Sequence, residues 1–479
     1  MLSLHSCFQR NGTALTCCVI RFRWAVCQLD VLQDCLRLPE LRKALESLPR
    51  TLDETYSRIL CNIPEGHSQD AIRILQWLTY SARPLRVEEL AEIVAVNIDG
   101  SPWFDCEARF PDQQDVLAIC SSLVTTEEVT VRGTYQPVRL AHFSVKEYLV
   151  SERIQHQATA TSRYAIQEIQ ANQSIAATCL AYLLQFDQHD SLTSETTEEF
   201  PLAGYAAGFW MQHTRAVGKA LDPIKMLILE LCLIPKEAHF NCCRLGYLEA
   251  AWGDFEPHRD IAELATPLYY ATFTGANELV RLLQEKGADV NAKGGDYDNA
   301  LQAASVGGHE AVVQLLLEKG ADVNAEGGHY GNALQAASRG GHEAVVQLLL
   351  EKGADVSAEG GHFGNALQAA SFGGHEAVVQ LLLEKGADVS AVSGEYGNAL
   401  QAASCRGHET VVQLLLGNGA DVHATGGKFG SALQAALAGE ADSPWEGRRS
   451  EVAQLLRSAM ESQAPPPSPP TAEEPTQLT

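Results

Sequence analysis

Positive charge is scarce in this sequence. Its 479 residues carry 35 lysines and arginines against 60 aspartates and glutamates, a formal net charge of −25. Binding to phosphate backbones or to an anionic membrane surface needs basic patches, so neither nucleic acid nor membrane is an expected partner. No apolar run approaches the roughly 20 residues needed to span a bilayer. The start, MLSLHSCFQRNG, has no charged segment leading into a continuous apolar stretch, so no signal peptide is read there. The 13 cysteines are an odd number with no Cys-x-x-Cys pair, the usage of reduced thiols in a cytoplasmic protein. On that reading the sequon Asn11-Gly12-Thr13 and the vicinal Cys17-Cys18 are incidental.

Catalytic frames are missing as well. A phosphate-binding loop of the form G-x-x-x-x-G-K-[ST] is absent; Gly218-Lys219 is followed by Ala220 and lacks the earlier glycine. Four histidines, His309, His342, His375 and His408, precede a glutamate, as in a zinc-binding H-E-x-x-H helix. The fourth residue after each is Val313, Val346, Val379 or Val412, so no second ligand follows within a copy. Histidines of successive copies would stand roughly 10 Å apart, as packed helices do. That is too far to share a metal with bonds of about 2 Å. His142 reads as a helix-start packing residue rather than a base. Neither a Ser-His-Asp nor a Cys-His set is recognisable. The expectation is a protein with no catalytic residues, no cofactor and no metal.

What the sequence does have is repetition. Gly287, Gly320, Gly353, Gly386 and Gly419 recur at a step of 33, each closing the phrase LLLEKGADV or a near copy, RLLQEKGADV first and QLLLGNGADV last. Asn299, Asn332, Asn365 and Asn398 keep the same step, and so do the four histidines. Each asparagine can cap a short helix such as Ala300–Ser305 by accepting an orphan backbone N–H. Gly307-Gly308 stops that helix. A second runs from Glu310 to Lys319, with Val312, Val313, Leu316 and Leu317 along one face, and the segment from Ala325 to Gly331 is a turn leading into the next copy. One such unit cannot bury its apolar face alone, so neighbours must stack. The period and the phrase TPLYYAT at Thr266 to Thr272 resemble the ankyrin family. Later copies read NALQAAS where that family usually has Thr-Pro-Leu-His, and there Gln302 can still hydrogen-bond. Six repeats are expected within 264–460, starting near Thr266, Asn299, Asn332, Asn365, Asn398 and Ser431. The sixth carries an insertion at about Glu440 to Arg448 before its second helix.

Upstream the text is helical with one β-rich interruption. Thr51-Leu52-Asp53-Glu54 is a capping box; Ala71 to Tyr80, Arg86 to Val96 and Asp115 to Leu123 read as helices. Strands are expected at Val124 to Val131 and Val138 to Ala141, with a turn at Arg132-Gly133-Thr134. Ser144 is then expected to cap a helix carrying Tyr148, Leu149 and Ile154. This is a winged-helix-like pattern. The phrases FRWAVCQLD, LRKALESLPRTLDETYSRIL, ILQWLTYSARPLRVEELAEIVAV, ICSSLV and LAHFSVKEYL resemble the end of a fungal NACHT module and its winged-helix domain. Such proteins are STAND-class signalling ATPases, many with C-terminal ankyrin arrays. The resemblance implies that the nucleotide site would lie upstream of these phrases, so its ATPase residues carry over to no position here. Helices are further expected at Ile166 to Leu184, Leu202 to Met211 and Ile224 to Leu233, with Ser191 to Glu199 a polar linker. The aromatic residues Tyr182, Tyr205, Trp210, Tyr247 and Trp252 are expected to be core.

The fold class expected is therefore mostly α: a winged-helix-like α+β module and a helical region, then an ankyrin-repeat α-solenoid. Its divisions are a leader (1–21), C-terminal helices of a NACHT-like module (22–65), the winged-helix-like domain (66–156), and a helical capping region (157–260). The six repeats (264–460) and a disordered Pro-rich tail (461–479) follow. Within the nearly fixed repeat framework, variation gathers at three offsets. One is Val306, Arg339, Phe372 and Cys405. A second is Asp296, His329, His362, Glu395 and Lys428; beside it run Lys293, Glu326, Glu359, Val392 and Thr425. The ankyrin resemblance implies that these line one concave surface and its finger tips. Variable groups on a rigid scaffold are a protein-recognition device, so a protein partner is expected there. The resemblance implies a role in signalling; the alternative is the output half of an ATP-dependent switch whose nucleotide domain lies outside this chain.

Overall fold

The computed structural model describes residues 37–40, 47–98, 100, 102–126, 129–130, 134–135, 137–155, 160–187, 199–232, 265–438 and 446–462. The leader, the FRWAVCQLD phrase, most of the polar linker, Tyr247, Trp252 and nearly all of the Pro-rich tail lie outside them. The chain forms two compact bodies, Met1–Ala262 and Glu263–Thr479.

In the first body, α1 (Leu52–Cys61) starts at Thr51, whose hydroxyl accepts from the Glu54 N–H at 3.2 Å. The Glu54 carboxylate reaches back to the Arg50 N–H at 2.7 Å, one residue before the cap itself. Next come α2 (Ser68–Tyr80), the two-residue β1 (Leu85–Arg86), α3 (Val87–Ala95) and α4 (Asp115–Cys120). The β-rich stretch differs from the sequence expectation. It holds four short strands, β2 (Val124–Thr126), β3 (Val129–Thr130), β4 (Thr134–Tyr135) and β5 (Pro137–Leu140). Both β1 and β2 pair antiparallel with β5, in the order β1-β5-β2, with Leu85 opposite Val138 and Val124 opposite Leu140. At two residues, β1 is too short for alternation to reveal. A separate ribbon joins β3 and β4.

A second correction concerns the next helix, α5 (Phe143–Leu149). Its cap is His142, whose Nδ1 accepts from the Ser144 N–H at 3.2 Å, and Ser144 lies inside the helix. Ile154 belongs to a separate short helix, α6 (Glu152–Gln155). Trp77, Leu85, Leu90, Ile93, Val116, Val138, Val145 and Leu149 are buried together in this α+β module. Each such side chain contributes about 1.5–3 kcal/mol. Polar ties fix α1 and α2 to α5: Tyr56 Oη meets Ser144 Oγ at 2.8 Å, and Lys146 Nζ donates to the Thr79 carbonyl at 2.8 Å.

Two glutamates on α3 are fully buried, Glu89 and Glu92. A buried charge needs a partner. Glu89 takes both arms of the Arg83 guanidinium, at 2.9 and 2.7 Å, and the Arg86 N–H at 2.8 Å. Glu92 accepts from Arg109 Nε at 2.6 Å and from the Tyr182 hydroxyl. Tyr182 lies on α7 (Glu168–Leu184), which packs on α8 (Ala203–Val217) and α9 (Lys225–Cys232). Tyr182, Tyr205 and Trp210 are buried. A chain of polar groups crosses the α7–α8 seam: Tyr205 Oη lies 2.9 Å from His213 Nε2, and His213 Nδ1 2.8 Å from Asn172 Oδ1.

In the second body, the described residues make six helix pairs. These are α10 (Pro267–Phe273) with α11 (Asn277–Glu285), α12 (Ala300–Val306) with α13 (Glu310–Glu318), and α14 (Ala333–Gly340) with α15 (Glu343–Glu351). They continue as α16 (Ala366–Gly373) with α17 (Glu376–Glu384), α18 (Ala399–Arg406) with α19 (Glu409–Gly417), and α20 (Ala432–Leu437) with α21 (Glu446–Ser462). Inner helices pack on inner helices down the file, burying their small residues, Ala303-Ala304, Ala336-Ala337, Ala369-Ala370 and Ala402-Ala403. Each asparagine caps as the sequence implies: Asn332 Oδ1 accepts from the Gln335 N–H, and Asn365 Oδ1 from that of Gln368, both at 2.9 Å.

Two side chains join neighbouring repeats. The buried Gln335 and Gln368 amides donate to Gly364 and Gly397 carbonyls of the next repeat, at 3.4 and 3.1 Å. In the other direction, His309, His342, His375 and His408 Nε2 meet the carbonyls of Phe273, Val306, Arg339 and Phe372, at 2.8, 2.9, 3.1 and 3.1 Å. A carbonyl can only accept, so Nε2 carries the proton. The glycine pairs make room for these rings. Gly341 and Gly374 sit at φ +72° and +76°, and a Cβ on either would run into the imidazole of the following repeat. Gly353 has a similar φ, +91°, and open space.

That contrast gives a test. Gly353→Ala should cost about 1 kcal/mol, the backbone term alone. Gly374→Ala should cost roughly 3 kcal/mol, because the His408 bridge breaks too. Urea denaturation of the two variants, followed by hydrogen exchange in residues 265–438, reads the difference; equal losses would show that the histidine bridge contributes nothing. In the first body, burial lowers the His213 pKa to about 4. The unfolded chain protonates His213 near 6.5 while the folded one does not, so stability present at neutral pH is lost as pH falls. From about pH 6.5 to about 4 the loss should reach roughly 3 kcal/mol and then level off. Exchange of α7 and α8 amides measures it, and His213→Gln should flatten that slope.

Candidate protein-binding face of the repeat array

The three variable offsets fall on the turn side of the array, and the structure treats them differently. Lys293, Glu326, Glu359, Val392 and Thr425 are all exposed. Val392 has 56% of its surface in solvent, unusual for an aliphatic residue. Antiparallel bridges hold these turns at their bases, Lys293 with Asn299, Gly327 with Gly331, Gly360 with Gly364 and Ser393 with Gly397, while Thr425 pairs with Ser431 in a short two-stranded ribbon. The side chains of this ladder therefore project from a fixed backbone.

Asp296, His329, His362, Glu395 and Lys428 are linked through their own main chain. The N–H of His329 donates to the Asp296 carbonyl at 3.1 Å, that of His362 to His329 at 3.0 Å, that of Glu395 to His362 at 3.2 Å, and that of Lys428 to Glu395 at 2.9 Å. Their side chains also pair. The imidazoles of His329 and His362 stack at 5.2 Å, His362 Nδ1 lies 3.1 Å from Glu395, and the Lys428 ammonium bonds the same carboxylate. That bond from Lys428 holds the Glu395 carboxyl below its ordinary range. Burial, with His362 beside it, lowers the His329 pKa. The polar tips thus form a self-paired strip.

Directly beneath runs a feature that the variable positions conceal because it varies little. Tyr297, Tyr330, Phe363, Tyr396 and Phe429 recur at the same step of 33. Successive ring centroids lie 5.6, 6.0, 6.0 and 6.3 Å apart, and the first three pairs are stacked. The signal was available in the sequence, one residue after each variable tip.

Of the third offset, Val306, Arg339 and Cys405 are half-buried, and Phe372 retains only 8% of its surface. Phe372 packs with Phe363 and Tyr396, at ring distances of 5.1 and 4.6 Å, and Cys405 lies against this cluster. The Cys405 thiol donates to the Ala402 carbonyl at 3.1 Å, and burial pushes its pKa up to about 11. It is a packing thiol rather than a thiolate nucleophile. Arg339 lies over Phe372 and Phe363, at 5.1 and 5.7 Å, and Arg406 over Phe372 at 4.4 Å. Among the described residues no three His, Cys, Asp or Glu side chains are grouped to hold a metal, and no helix is long and apolar enough to cross a membrane.

Comparison with known proteins agrees with this geometry. A model of ankyrin repeats in three copies matches residues 268–360 and 334–426, and the model of the GPI inositol-deacylase winged helix domain matches residues 58–167. Neither is a model of a nucleotide-binding NACHT module. The chain is similar to "Azaphilone pigments biosynthesis cluster protein L" of Monascus ruber, 42% identical over 278 residues, which cover 55% of this chain and 58% of that protein. The alignment thus spans little more than half of its relative.

The burial of Phe372 sets an expectation that separates it from the tips. Phe372→Ala should cost about 3–5 kcal/mol, the range for a core aromatic. Lys293→Ala, Glu326→Ala or Glu359→Ala should each change stability by less than about 0.5 kcal/mol. Urea midpoints of the four variants measure this, and a small loss for Phe372→Ala would return that residue to the exposed surface.

Proposed function

We propose that this chain is a non-catalytic interaction protein whose ankyrin array recognises a protein partner, within NACHT- and STAND-type signalling in the cytoplasm of a fungal cell. The observation that carries the proposal is the arrangement at the turns. Lys293, Glu326, Glu359, Val392 and Thr425 differ from repeat to repeat, are exposed, and stand on backbone held by regular bridges. Diversity on a rigid frame is how a repeat protein distinguishes one partner from another. Ankyrin repeats and a winged-helix domain of the NACHT-associated type are consistent with signalling. The relative from Monascus ruber is named for a pigment biosynthesis cluster, which offers that cluster's proteins as first candidates for the partner. Neither nucleic acid, membrane, cofactor nor metal has a role in this proposal.

A second reading makes the chain the output half of an ATP-dependent switch. It is favoured by the winged-helix match and by the phrases that resemble the end of a NACHT module. An in-frame phosphate-binding loop upstream in the full-length transcript would select it.

The binding proposal is tested by affinity capture from a fungal extract with the wild type and with a variant carrying Lys293→Ser, Glu326→Ser, Glu359→Ser and Val392→Ser. All four positions are exposed, so the variant should keep the wild-type thermal transition. A partner of this face should be retained by the wild type and depleted about tenfold or more with the variant. Identical captures from both would reject the face.

A further inference from the structure

We infer that the concave side of the third to fifth repeats binds an acidic peptide segment of the partner, with its carboxylates received by Arg339 and Arg406. The inference rests on the protein-binding reading above and gives it a chemistry.

Three observations lead there. First, the two guanidinium groups share one ring. Both lie over Phe372, at 5.1 and 4.4 Å, so they can be no farther apart than the sum of those distances. Second, no carboxylate of a described residue meets them. The protein holds 60 acidic residues, yet no ion pair or side-chain hydrogen bond joins either guanidinium to a described residue. Arginines elsewhere behave differently: Arg83 and Arg109 are matched to Glu89 and Glu92. Lys428, the other cation over this aromatic cluster, is matched to Glu395. Third, the charge is felt locally. Burial lowers the Arg339 pKa, and Arg406 adds to that lowering. His375 and His408 are lowered as well, chiefly by burial, with Arg339 acting on the first and Arg406 and Arg448 on the second.

A half-buried guanidinium has five donors in a planar fork. A carboxylate takes two of them at once, and it does so best where the surroundings are partly desolvated. The stacked arginines are pre-oriented by Phe372 and Phe363, which lowers the entropy lost on binding. An acidic segment is also the ligand most in need of such a site. The chain's overall charge of −25 opposes its approach on average, so a local basic spot supplies both attraction and register.

The test uses the full chain and a phage-displayed library of random 12-residue peptides, selected in parallel on the wild type and on the Arg339→Gln, Arg406→Gln double variant. Enriched peptides are then synthesised with a fluorescent label and titrated by anisotropy. Peptides enriched on the wild type should carry an excess of Asp and Glu. Their affinity should fall about tenfold or more in the double variant and fall steeply as salt is raised from about 0.05 to 0.5 M. Because the substitutions remove stacking over Phe372, an Arg339→Lys, Arg406→Lys variant separates charge from packing; it should retain most of the binding. Enriched peptides without an acidic excess, or peptides indifferent to the double variant and to salt, would overturn the acidic-segment inference while leaving protein recognition standing. No enrichment on the wild type at all would count against both.

Discussion

The array depends on one constraint: the carbonyls at the ends of its inner helices need donors that the helices themselves cannot provide. The last carbonyls of any helix lack partners within it. Here Phe273, Val306, Arg339 and Phe372 each present a carbonyl that the histidine of the next repeat satisfies through Nε2. The glycine pairs follow from this, because a ring can reach that carbonyl only where no Cβ stands in its way. So does the tight step between repeats. A buried acceptor left unpaired costs on the order of 1–3 kcal/mol, and the cost recurs at every interface. The His-Glu copies that invite a metal reading are explained by this bridge alone.

The same constraint frees the side chains on that surface to vary. Val306 and Arg339 are held by their carbonyls, so their side chains are not needed to fasten the repeats, whereas Phe372 also adds its ring to the core. Asp296, His329, His362, Glu395 and Lys428 are held by main-chain bonds that pass from one tip to the next. Neither ladder asks for a particular residue type. The framework positions, by contrast, are fixed because side chains do the fastening: Asn as the cap, Gln across to the next repeat, His back to the previous one. Variation is confined to the places where the backbone is already secured.

Much of this was legible. The 33-residue step, the asparagine caps and the two helices of each repeat follow from spacing and capping chemistry, and the structure places them within a residue or two. What escaped was the part decided by three-dimensional neighbours. The strand Leu85–Arg86 is two residues long and exists through its pairing with β5. His142 replaces Ser144 as a cap because its ring folds back onto the first turn. Glu89 and Glu92 look like solvated charges on an amphipathic helix; they are buried because Arg83, in the loop before it, and Arg109, in the loop after it, reach them. The aromatic ladder is visible as a period of near-constant residues, and Phe372 varies with the face above although its ring belongs to the core beneath.

The aromatic ladder also explains why the face can carry cations that pair with no carboxylate among the described residues. Stacked rings bury apolar area continuously from repeat to repeat, so the surface above them does not depend on ion pairs for its cohesion. Lys428 and Glu395 neutralise one another and contribute little, as exposed pairs generally do. Arg339 and Arg406 lie over ring faces instead, a contact made through the guanidinium plane rather than through its N–H donors. A salt bridge within the array would have oriented them equally well but would have consumed those donors. The ladder therefore separates two tasks that a charged pair combines, holding a cation in place and neutralising it, and leaves the second to whatever binds.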